Sequence, residues 1–77
     1  MQKSYFLSIS PEKGQALQKV LFNQEQTTLV KRVREELHGL GQIDKGISRQ
    51  MVLSRAEFRL VRRVNEENKL GIEVQSL

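Results

Sequence analysis

Apolar residues along this chain recur with two different periods, and the switches between them mark out its elements. Ser4 to Ile9 is rich in aromatic and branched residues, with Tyr5, Leu7 and Ile9 on one side, and reads as a strand. Ser10 then caps a helix with Pro11 at its first position and Glu12 against its dipole. Ala16, Leu17, Val20 and Leu21 form its apolar face as far as about Phe22, although Gly14 weakens it. Asn23 to Thr28 is a polar connection in which Thr27 or Thr28 caps the next helix. Leu29, Val33 and Leu37 recur every four residues, with Val30 and Leu40 close by, and predict a helix from about Thr28 to His38, ended by Gly39 and Gly41. Two short helices joined by polar residues suggest a helical hairpin.

The segment from Gln42 to Val52 admits two readings. Asp44 can cap a short helix running through Met51, or Ile47 to Leu53 can form a strand. The last residues, Ile72 to Leu77, alternate with period two and predict a second terminal strand. Tyr5–Ile9 is its expected partner, because a lone strand leaves its backbone groups unpaired.

The strongest local signals lie between these regions, at Leu53 to Gly71. Ser54 is a good N-cap, and Glu57, three residues on, can return a hydrogen bond to the Ser54 amide to complete a capping box. Leu53 and Phe58 are placed to form a hydrophobic staple across that cap. Gly71 can take the left-handed conformation that ends a helix, so a helix is predicted from about Arg55 to Leu70. Phe58, Val61 and Val64, with Leu60 beside them, face inward. Arg55, Arg59, Arg62 and Glu66 form a stripe elsewhere on the helix, with Arg63 next to it. The pattern as a whole predicts a small, mostly helical α+β domain spanning 1–77, with short N- and C-terminal strands.

Charge sharpens this picture. The net +4 is not spread evenly. Residues 31–63 carry nine basic and four acidic side chains, whereas 64–77 carry one basic and three acidic. A basic middle points to a polyanionic partner, nucleic acid first and an acidic protein surface second. A charge run on one helix is often only a solvated face, but arginine forks suit phosphates and base edges better than lysine does. The absence of cysteine removes disulfides and thiolate metal sites and fits a reducing, cytoplasmic setting. No apolar run is long enough to span a membrane, and the N-terminus lacks a signal peptide's apolar core and cleavage motif. A core this small gains from oligomerisation, so a homodimer is expected.

Catalytic chemistry finds little support. The one histidine, His38, lies near a helix end beside Glu35 and Glu36, where a solvated terminus explains it. No pair of carboxylates is arranged for acid–base work, and neither Lys13-Gly14 nor Gly39-Leu40-Gly41 has the setting of a phosphate-cradling loop. No enzyme activity and no cofactor are expected.

Asp44 to Arg63 resembles a helix-turn-helix DNA-binding motif. The motif's apolar positions fall on Ile47, Met51, Leu53, Phe58 and Val61, its small position on Ser48, and the start of its second helix on Ser54. Its turn position, usually glycine, falls on Val52. The resemblance implies a DNA-binding regulator, acting as a dimer, whose second helix enters the major groove. The expected contacts are Arg55, Arg59, Arg62 and Arg63, helped by Arg49 and Lys31, with Ser54 as the cap. A second stretch, Ser54 to Arg63 followed by Gly71-Ile72-Glu73-Val74, resembles the latter half of an S4-type RNA-binding domain. A third reading is a small interaction or inhibitor protein of phage or plasmid type, with Tyr5 or Phe6 as anchors.

Overall fold

The computed structural model describes residues 5–40 and 49–73. Its element order is β1 (Tyr5–Ile9), α1 (Pro11–Phe22), α2 (Thr28–Leu40), β2 (Arg49–Leu53) and α3 (Arg55–Asn68). The small, mostly helical α+β class expected from the sequence is what the chain adopts.

Among the described strands β1 takes β2 as its partner, a pairing that the sequence did not single out. β1 runs antiparallel to β2, with Tyr5 opposite Leu53, Leu7 opposite Met51 and Ile9 opposite Arg49. Of the two readings of the segment before α3, the strand holds over Arg49–Leu53, because Met51 and Leu53 alternate onto the face that already carries Leu7. Ile72 and Glu73 are not in a strand, and the remainder of the expected C-terminal strand, 74–77, lies outside the described residues. β2 also occupies the stretch where the helix-turn-helix resemblance places the end of a first helix and the turn. The resemblance keeps its capped second helix, α3, while Ile47 and Ser48 lie outside the described residues.

Local capping explains the helix starts. Ser10 Oγ accepts from the Lys13 amide at 3.2 Å, and Thr27 Oγ1 accepts from the Val30 amide at 3.2 Å. At α3 both halves of the capping box are present. The Ser54 amide donates to Glu57 Oε1 at 2.7 Å, and the Glu57 amide donates to Ser54 Oγ at 3.3 Å. Glu57 is thereby buried, only 2% exposed.

The ends differ from expectation. α2 continues through Gly39 to Leu40. α3 stops at Asn68, and the left-handed residue that ends it is Lys69 (φ 51°) rather than Gly71, which is itself left-handed at φ 73°. The cause is tertiary. Ile72 is buried and hydrogen-bonded to the side chain of Asn65, so the chain must leave the helix early enough to fold back along it.

The helices cover one face of the sheet. Leu7, Ile9, Met51 and Leu53 meet Leu17 and Leu21 of α1, Val33 and Leu37 of α2, and Phe58, Val61 and Val64 of α3 in one apolar cluster. Tyr5 stacks on Phe58 with ring centroids 4.8 Å apart. No described element covers the other face of the sheet. Phe6 and Val52, 39% and 38% exposed, are register partners there.

Candidate nucleic-acid interface

α3 presents its arginines because its apolar residues are committed inward. Phe58, Leu60, Val61 and Val64 are buried, while Arg55, Arg59, Arg62 and Arg63 are all exposed. Arg55, Arg59 and Arg63 stand four residues apart, so they form a row along one side of the helix. This row lines an open groove of about 580 Å³ between α3 and the start of α2. Leu29, Ala56 and Leu60 complete its lining. The result is an apolar floor with a guanidinium rim.

The stripe read from the sequence contained Arg62 in place of Arg63. Arg62 lies seven residues beyond Arg55 and about 20° from it around the helix, so it shares the face of Arg55 rather than that of Arg63. It does not line the groove. Ser54 acts as the structural cap that starts the row. Arg49 opens β2 opposite Ile9, and its side chain lies outside the described residues.

Lys31 is not brought to this groove. Only two residues from Leu29, it points to nearly the opposite side of α2. There it lines a second groove, of about 400 Å³, with Gln18 of α1 and Arg34, Glu35 and His38 of α2. Arg34 lies with its guanidinium 4.8 Å from the centroid of the exposed Phe22 ring and donates through Nη1 to Gln26 Oε1. Sequence reasoning missed this pair, whose members are twelve residues apart. It also read Leu29 only as a core residue. Leu29 is half-buried, and its exposed part is a wall of the arginine groove. The fourfold spacing of 55, 59 and 63 was visible in the sequence. The groove was not, because α2 supplies its other wall.

The charges of α3 run against its dipole. Arg55 occupies the first helical position, where the helix end is positive, and Glu66 and Glu67 lie in the last turn, where it is negative. Stability alone favours the opposite arrangement. The Glu57 carboxylate offsets part of this at the N-terminus. Glu67, the next member of the series after Arg63, ends the cationic row.

Among the described residues no three His, Cys, Asp or Glu side chains converge to hold a metal ion, and no helix is long and apolar enough to cross a membrane. Compared with known proteins, the chain matches no family model, no curated sequence and no solved structure.

Proposed function

We propose that this protein binds nucleic acid through Arg55, Arg59 and Arg63 of α3. One observation carries the reading: three exposed arginines share a single groove, on a helix whose charges oppose its own dipole. Such an arrangement costs stability and is useful where an external polyanion meets the N-terminal half of α3. The acidic last turn then faces away from the polyanion and sets the direction in which the helix is presented. β2 stands immediately before α3, where a helix-turn-helix has the end of its first helix and its turn.

The test is fluorescence anisotropy with labelled oligonucleotides of mixed sequence at low and moderate salt. Binding that weakens steeply with salt is expected. Replacing all three arginines by alanine lowers the slope of log K against log salt by about one per lost contact. Absence of binding at low salt would remove this reading and favour an acidic protein partner.

We propose also that the protein acts as a homodimer through the sheet face that exposes Phe6 and Val52 and through the outer edge of β1, which no other described strand pairs with. The exposed Phe6–Val52 pair carries no charge, and neither does any residue of β1, so this edge lacks the lysine or proline that commonly guards one. Sedimentation equilibrium should give twice the chain mass for the parent and the single mass for Phe6→Glu. A monomeric parent at high protein concentration excludes the dimer.

A further inference from the structure

The arginine row lies along the side of a cleft, not on a bare ridge, and that selects the form of nucleic acid that fits. Resting on the reading above, we infer that the α2–α3 groove takes a single strand, with its sugar–phosphate backbone along Arg55, Arg59 and Arg63 and its bases against Leu29, Ala56 and Leu60.

Successive members of the row are about 6 Å apart along the helix axis and about 40° apart around it, so the three cations make a slanting track that rises about 12 Å. One phosphate chain can follow such a track. A duplex presents two chains, and a helix inserted between them needs cations on both flanks. Among the four arginines of α3, only Arg62 does not line the groove.

The floor gives the second argument. Leu29, Ala56 and Leu60 offer apolar surface beneath the guanidinium rim. A duplex buries the faces of its bases and shows mostly polar edges, so beyond thymine methyl groups it offers this surface little. An unpaired strand exposes those faces, and apolar contacts together with guanidinium planes can receive them. Glu67 closes the cationic track after Arg63, so the contact spans few nucleotides and is sensitive to salt.

The experiment compares one short labelled sequence as single-stranded DNA, single-stranded RNA and duplex DNA, by anisotropy at matched salt. The single strands should bind about tenfold more tightly than the duplex. Ala56→Gln, at an exposed helical position, fills the floor without changing charge. It should weaken single-strand binding about tenfold while leaving the salt slope unaltered. Arg62→Ala should leave single-strand affinity unchanged. Circular dichroism confirms that both variants fold. The two single-stranded arms report whether the sugar matters, and a preference for either over duplex supports the inference. Tighter binding of the duplex, or loss of single-strand binding in Arg62→Ala, overturns it while leaving α3 as the interface. Failure of all three nucleic acids to bind at low salt overturns the functional reading itself.

Discussion

The side-chain amide of Asn65 pairs with the backbone of Ile72 at both of its polar atoms. Asn65 Nδ2 donates to the Ile72 carbonyl oxygen at 2.9 Å, and the Ile72 amide donates to Asn65 Oδ1 at 2.9 Å. One side chain thus satisfies both backbone groups of Ile72 and holds its buried side chain beside α3. Asn65→Ala strands a partly buried donor and acceptor and should cost roughly 1–3 kcal/mol. Asn65→Asp keeps the acceptor and loses the donor, so it should fall between alanine and the parent. Urea denaturation measures both. Equal stability of the alanine variant and the parent would show that this pair does not hold the C-terminal segment.

The two left-handed residues after α3 should respond in opposite ways to substitution. Lys69 has a side chain in a conformation that costs non-glycine residues about 1 kcal/mol, so Lys69→Gly should stabilise the protein by roughly that amount. Gly71→Ala should destabilise it. Its φ is 73°, and a Cβ there would lie 2.6 Å from Lys13 Nζ, which donates to the Leu70 carbonyl at 3.2 Å. Thermal melts of the two variants should therefore shift in opposite directions. A shared direction would contradict the assigned backbone conformations.

Phe58 links the cap of α3 to the sheet. It is buried, and it stacks on Tyr5 of β1. Phe58→Ala should cost roughly 3–5 kcal/mol. Ser54→Ala, which removes only a capping bond, should cost about 1 kcal/mol. Chemical denaturation that ranks Ser54→Ala as the more damaging would show that α3 is held by its cap rather than by its packing.

Charge reversal at Arg55 separates function from stability. Arg55→Glu brings a carboxylate to the positive end of α3 and should stabilise the helix by roughly 0.3–1 kcal/mol at low salt. The same change should weaken nucleic-acid binding, since it puts a negative charge at the head of the arginine row. Paired urea denaturation and anisotropy measure the two effects. A variant that binds as tightly as the parent would show that Arg55 does not meet the polyanion.

Helix starts, the inward faces and the exposed arginines are properties of residues three or four positions apart, and the sequence alone determined them. The Ser10 and Ser54 caps, the Ser54–Glu57 box, the inward set of Phe58, Val61 and Val64, and the Tyr5–Ile9 strand were legible for that reason. Which strand pairs with β1 was not. Period-two alternation marks a strand without naming its partner, and Met51 and Leu53 became that partner because they complete the apolar face begun by Leu7. The end of α3 was likewise set by Asn65 reaching Ile72, a contact that no local rule for glycine at a helix terminus contains. The interface shows the same division. The sequence placed four arginines on one exposed side of α3. Only the packing of α2 against α3 brought Leu29 alongside Arg55, Arg59 and Arg63, left Arg62 outside the groove, and turned Lys31 toward α1, because a groove exists only where two separately coded surfaces meet.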